Sequence, residues 1–200
     1  MHRLSRQLEQ FHPARKGMLG LGLLTLLYIV TLPFLAYAAG FTIRSVETLL
    51  EDNVYLLNAR IDYQFSEEAV RALQSGIPLI ILSDIEVDEK RDWWWDKTIA
   101  ELNQGYLLIY HALTEKYIVS NLNSGAQDDY NSLAATIQAL GHIERLPLLD
   151  TTLVKSDKEY EVLIRVYLDI ESLPAPMRPL AYVSSDWQLE SEWYTWPLQP

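Results

Sequence analysis

Strict two-residue alternation constrains this chain more than any other feature. In VYLLNARIDYQF the apolar side chains are Tyr55, Leu57, Ala59, Ile61, Tyr63 and Phe65, with Asn58, Arg60, Asp62 and Gln64 between them. In YEVLIRVYLDI, Tyr160, Val162, Ile164, Val166, Leu168 and Ile170 point one way while Glu161, Arg165 and Asp169 point the other. Neighbouring side chains of a strand leave opposite faces, so each run predicts a strand with one dry and one wet face. A third run, IPLIILSDIEVD, puts Ile77, Leu79, Ile81, Ile85 and Val87 on one face. Its other face is apolar at Ile80 and Leu82, then acidic at Asp84, Glu86 and Asp88. That pattern predicts a strand running from a two-sided core to an exposed end.

Turn chemistry divides the rest. FTIRSVETLLEDNVYLL reads as a hairpin turning at Glu51-Asp52-Asn53, and GYLLIYHAL and KYIVSNL as a second one turning at Thr114-Glu115. Asn123-Ser124-Gly125 is a further turn, and AYVSSDWQLESEWYTW supplies a last strand or two. Two short helices are expected. SEEAVRALQSG has Ser66 as N-cap, Glu67 and Glu68 in the first turn, and Gly76 past the end. NSLAATIQALG has Asn131 or Ser132 as cap, Leu133, Ile137 and Leu140 on one face, and Gly141 as terminator. ESLPAPMRPLAY, with Pro174, Pro176 and Pro179, reads as an extended connector. The expected fold is mainly β: an antiparallel immunoglobulin-like or C2-like β-sandwich with two short inserted α-helices.

Ahead of it stands an N-terminal hydrophobic signal or anchor helix. Gly17 to Thr42 carries no charge and follows the basic run PARKG, the layout of an exported chain. Ala36-Tyr37-Ala38 offers the small-x-small pattern of a signal-peptidase site, and Pro33 breaks the helix before it. Retention as a single-pass anchor is the alternative, because the apolar stretch is long enough to span. Residues 1–39 are thus read as basic lead plus signal peptide or anchor, and 40–200 as one β-rich domain. The basic residues before the apolar stretch place that domain in the periplasm of a Gram-negative source.

Charge narrows the partners. The first 38 residues hold Arg3, Arg6, Arg15 and Lys16 against Glu9. Removing these from the chain's 16 basic and 27 acidic residues leaves 12 and 26, a net charge of −14. Such a domain repels phosphate backbones and anionic lipid, which argues against nucleic acid as a partner and confines membrane contact to the N-terminal segment. With no cysteine, disulfides and thiolate chemistry are excluded.

Catalytic patterns are sparse. Outside the leader only His111 and His142 remain, without a G-x-S-x-G turn or metal-ligand spacing. Asp84, Glu86 and Asp88 share a strand face, and AQDDYNS (126–132) reads as a second oxygen-rich loop, but neither has the calcium-loop pattern. No cofactor or metal is expected. The remaining peculiarity is RDWWWDK, where Trp93, Trp94 and Trp95 adjoin the acidic strand. Adjacent indoles cannot present one flat face in a strand or helix, so one or two are expected to bury and at least one to stay outside.

Taken in order, RIDYQFSEEAVRALQSGIPL, WWWD, YHAL, YIVSNLNSG, LPLLD, LDIESLPAPMRPLAY and SSDWQLESEWYTWPL resemble the bacterial proteins grouped as domain of unknown function 4390. The resemblance covers about residues 45–198. It implies a small protein that usually carries a signal peptide and has no established activity, cofactor or catalytic residues. It also implies a gene often lying beside a membrane sensor histidine kinase of the nitrogen-regulation type. The long basic lead departs from the simplest members. The leading expectation is a non-enzymatic periplasmic protein-interaction module using Trp93–Trp95 and Asp84, Glu86 and Asp88. Its partner would be a periplasmic or inner-membrane protein such as that kinase. An envelope glycan- or lipid-binding module is the alternative, and a hydrolase a minor one.

Overall fold

The computed structural model describes residues 39–91 and 95–198. The leader, with Ala36 and Ala38, and the indoles of Trp93 and Trp94 lie outside the described residues.

Strand β1 (Gly40–Glu51) and strand β2 (Val54–Gln64) form the first hairpin. Its turn residues Asp52 and Asn53 have φ of 49° and 65°. Asp and Asn tolerate this left-handed geometry, which matches the twist of the flanking strands. Every predicted inward residue of β2, from Tyr55 to Tyr63, is buried. Strand β7 (His142–Asp150) pairs with the other side of β2 and completes a three-stranded antiparallel sheet, β1-β2-β7.

The second sheet is also antiparallel. It contains β3 (Leu79–Glu89), β4 (Lys97–His111), β5 (Lys116–Asn121), β6 (Gln127–Tyr130), β8 (Tyr160–Leu168) and β9 (Tyr194–Leu198). Their order is β6-β5-β4-β3-β8-β9. Inward residues of both sheets belong to one hydrophobic cluster. Three of the four edges discourage further pairing: β7 and β9 carry Pro147 and Pro197, and β6 is four residues long with Asp128 and Asp129 on it.

Helix α1 (Glu67–Gln74) starts as expected, with the Ser66 hydroxyl accepting from the Ala69 N–H at 3.1 Å. The same hydroxyl donates to the Asp186 carbonyl at 2.6 Å, tying α1 to the C-terminal segment. Helix α2 (Leu133–Leu140) is capped by Ser132 and packs on β2, β5, β6 and β7.

Four details differ from the sequence reading. A third helix, α3 (Arg178–Ala181), lies where an extended connector was expected. Pro179 sits in its first turn, where a missing N–H costs nothing, and the Arg178 Nε donates to the Leu173 carbonyl at 2.8 Å. Asp128 and Asp129 belong to an edge strand rather than a loop, because β6 pairs with β5. Strand β4 begins at Lys97, not near Gly105. Gly105 is no strand start but a seat: a Cβ there would lie 3.1 Å from Leu122 Cδ1 and 3.3 Å from Leu82 Cδ2. Finally, β3 does not end in the open. It runs between β4 and β8 along its whole acidic half.

Among the described residues, the core hydroxyls of Tyr63 and Ser83 have no hydrogen-bond partner. Burial, and then the neighbouring Tyr106, pushes the Tyr63 phenol well up. An unpartnered buried hydroxyl costs stability, so Tyr63→Phe is expected to be neutral or stabilising by about 1 kcal/mol in denaturant titration. A clear loss would mean the hydroxyl has a partner in solution.

Candidate functional site

The alternation of β3 sends Asp84, Glu86 and Asp88 outward, and pairing places neighbours beside each. Asp84 faces Arg165 on β8 and Asn103 on β4. Glu86 lies between Leu163 and Glu101, and Asp88 between Glu161 and Thr98. Three adjacent strands therefore bring five carboxylates onto one sheet face. Like charges directly opposite, as at Glu86 and Glu101, are unfavourable. Burial, then the charges of Asp88, Glu101 and Asp84, hold the Glu86 carboxyl above its ordinary value, with Arg165 pulling the other way.

Among the described residues, cations occupy only the two ends of this row. At one end Lys90 Nζ lies 2.8 Å from Glu161. At the other, Arg165 bonds Asp84 at 2.9 Å, with the two side chains 34% and 20% exposed. The Arg165 guanidinium also lies 5.0 Å from the Tyr167 ring centre and 4.9 Å from that of Trp193. Two rings about one guanidinium give a cation–π clamp that fixes it in place. The Tyr167 hydroxyl donates to Asp84 at 3.4 Å, and burial followed by the Asp84 charge raises that phenol. Between the ends, Glu86, Asp88 and Glu101 have no ion-pair partner among the described residues. Asp88 Oδ1 is buried and unbonded among them as well.

The other half of the face is apolar. Ile80 pairs with Leu107, Leu82 with Gly105, and an exposed Leu122 folds over that glycine. The surface is thus divided, greasy toward one end of β3 and anionic toward the other.

Of the residues picked from sequence, Asp84, Glu86 and Asp88 stand together. Trp95 does not join them over the sheet. It lies in the β3–β4 connection, 90% exposed, in a loop closed by the Arg91 N–H donating to Asp96 Oδ1 at 3.0 Å. It stands beyond the Asp88 end of the row. Trp187, by contrast, is only 1% exposed and is the largest fully buried side chain among the described residues. Nothing local in the sequence marks Arg165, Tyr167, Glu101 and Glu161 as site residues. The wet face of β8 shows that Glu161 and Arg165 point outward, but only strand pairing sets them beside β3.

This is a mainly β domain of two antiparallel sheets and three short helices, with a divided acidic and apolar face on the larger sheet. It belongs to the family described as domain of unknown function 4390, whose model matches residues 38–197. No curated protein and no solved structure matches it.

Proposed function

We propose that this is an exported, non-enzymatic protein-interaction module of the bacterial cell envelope. Its docking surface is the outward face of β3, β4 and β8. The two sheets, which share one core, are read as a β-sandwich of immunoglobulin-like or C2-like type. The N-terminal segment delivers it to the periplasm, as a cleaved signal peptide or as an inner-membrane anchor.

The observation carrying this reading is the set of carboxylates left without cations among the described residues, Glu86 and Asp88 on β3 and Glu101 beside them on β4. Glu86 and Glu101 repel each other in the free domain, an arrangement that core stability does not call for. A partner segment bearing lysine or arginine, with apolar residues to cover Leu82 and Leu122, would relieve the repulsion and bury the greasy half. Complementary charge of this kind speeds association and selects the partner. A membrane sensor kinase, whose gene the resemblance implies is often adjacent, is the first partner to test.

Glu86→Gln separates function from stability. The folded protein holds the Glu86 proton more tightly than the unfolded chain does, so ionisation at neutral pH costs stability. The glutamine variant is expected to gain about 0.5 kcal/mol at pH 7 after solvent screening is allowed for. That gain should fade as the pH falls toward 4.5, the ordinary carboxyl value. In cross-linked envelope, wild type should capture a membrane protein, while Glu86→Lys combined with Glu101→Lys should capture much less. Capture of no membrane protein by wild type would sink the reading.

The exposure of Trp95 favours a second reading, an envelope glycan or lipid stacking on that indole. Fluorescence titration with cell-wall fragments tests it. A shift in wild type that disappears in Trp95→Phe would support it, and no shift with any fragment would retire it.

A further inference from the structure

The opposite sheet carries a separate polar groove of about 370 Å³, within the range of small-ligand sites. Its floor is the wet face of β2, and β1 and β7 form its walls. Arg60 stands on the floor, opposite Ser45 on one side and His142 on the other. The state of His142 follows from its contacts. Nδ1 lies 2.6 Å from the Gln138 carbonyl oxygen, which only accepts, so Nδ1 carries the proton. Nε2 lies 2.8 Å from Arg60 Nη1, which only donates, so Nε2 accepts. A neutral imidazole therefore orients the Arg60 guanidinium without neutralising it. Arg60 has no carboxylate partner among the described residues, and its remaining N–H groups are free for an oxyanion.

The β7 wall is deliberately shaped. The register slips between the Leu57 and Ala59 pairings, which leaves Glu144 and Arg145 as a bulge opposite Asn58. Arg145 has φ of 54° and is the one non-glycine residue in a described strand with positive φ. Two anchors hold it there. Its N–H donates to Asn58 Oδ1 at 2.8 Å, and its guanidinium grips Glu51 at 2.8 and 2.5 Å. Strained backbone kept in place by such ties clusters at functional sites. Arg145 is thereby neutralised, and Glu144 is presented on the wall. Glu47 lines the β1 wall across β2, two strand spacings or about 10 Å away. Neither Glu47 nor Glu144 has an ion-pair partner among the described residues.

The geometry points to a binding site for a dibasic amino acid, or a short peptide containing one. The groove offers one free cation on its floor and one free carboxylate on each wall. The complement is a small molecule with one carboxylate and two ammonium groups. Its carboxylate would take the Arg60 fork, and its ammonium groups would meet Glu47 and Glu144.

Calorimetric titration of the full chain with lysine, lysinamide and diacetyl-lysine tests this. Lysine should bind saturably, and each blocked form about tenfold or more weaker, a loss of about 1.4 kcal/mol. Arg60→Gln should weaken lysine by about the same factor and leave lysinamide, which lacks the carboxylate, unchanged. Glu47→Gln combined with Glu144→Gln should weaken both. No saturable binding of lysine to wild type, or equal binding of the three probes, would overturn the proposal. So would lysine affinity indifferent to Arg60→Gln. The probe series on wild type keeps the test decisive if a variant fails to fold. Loss of partner capture by the β3 face would leave this result untouched.

Discussion

Trp187→Ala is expected to lower stability by about 3–5 kcal/mol, read as a fall of about 10 °C in the melting temperature. Trp187 is 1% exposed and belongs to the common core together with Leu173, Ala181 and Leu189. These residues come from the segment between β8 and β9, whose only regular structure is one turn of 3-10 helix and the four-residue α3. A segment with so little backbone pairing is held by what it buries. Removing the largest side chain leaves a cavity that short turns cannot close. The Ser66 hydroxyl, which bonds the Asp186 carbonyl next door, would lose its alignment as well. The matched control is Trp95→Ala. That indole is 90% exposed, and its loss should move stability by no more than about 0.5 kcal/mol. Equal effects from the two would mean that Trp187 is not where the core is.

Gly141→Ala is expected to cost about 3 kcal/mol, measured by chemical denaturation. Local reasoning gives the opposite sign. Gly141 closes α2 with φ of −71°, ordinary right-handed geometry, where alanine normally stabilises by limiting the unfolded chain. Tertiary contact reverses this. The Ile61 N–H donates to the Gly141 carbonyl at 2.9 Å, which presses the corner between α2 and β7 against β2. A Cβ at Gly141 would fall closer than 3.0 Å to the Ile61 carbonyl oxygen and 3.3 Å from that of Ile137. Both obstacles are backbone, so no rotamer change relieves them. Relief requires β7 to move off β2, which would also open the groove around Arg60 and His142. A stabilised Gly141→Ala variant would show that this corner packs less tightly.

The acidic face and the groove were legible to different degrees, for reasons of range. Asp84, Glu86 and Asp88 could be assigned to one face because alternation is a local property of β3. The wet faces of β2 and β8 were equally readable, so Asn58, Arg60, Glu161 and Arg165 were already known to point away from the core. Strand β7 was not legible. Pro147 and the bulge at Glu144-Arg145 break its alternation, so nothing local marked His142 and Arg145 as neighbours of Arg60. The same limit hid the Arg165 clamp. Tyr167 and Trp193 lie on either side of a connector of more than twenty residues, and only the return of β9 to β8 brings them together.

The tryptophans show where the division falls. RDWWWDK drew attention because three indoles are adjacent, yet among the described tryptophans the buried one is Trp187, in a stretch with no periodicity to announce it. Sequence alone determined the class of fold, the family, two helices with the Ser66 cap of the first, and which side of each regular strand is dry. Each of these follows from side-chain chemistry at separations of a few residues. Tertiary structure alone decided which strands are neighbours. It thereby set Glu86 against Glu101, closed two rings around Arg165, turned Gly141 from a replaceable terminator into a steric necessity, and left Arg60 as an oriented but unneutralised cation. Those outcomes depend on residues tens of positions apart, whose meeting is settled by the packing of one shared core.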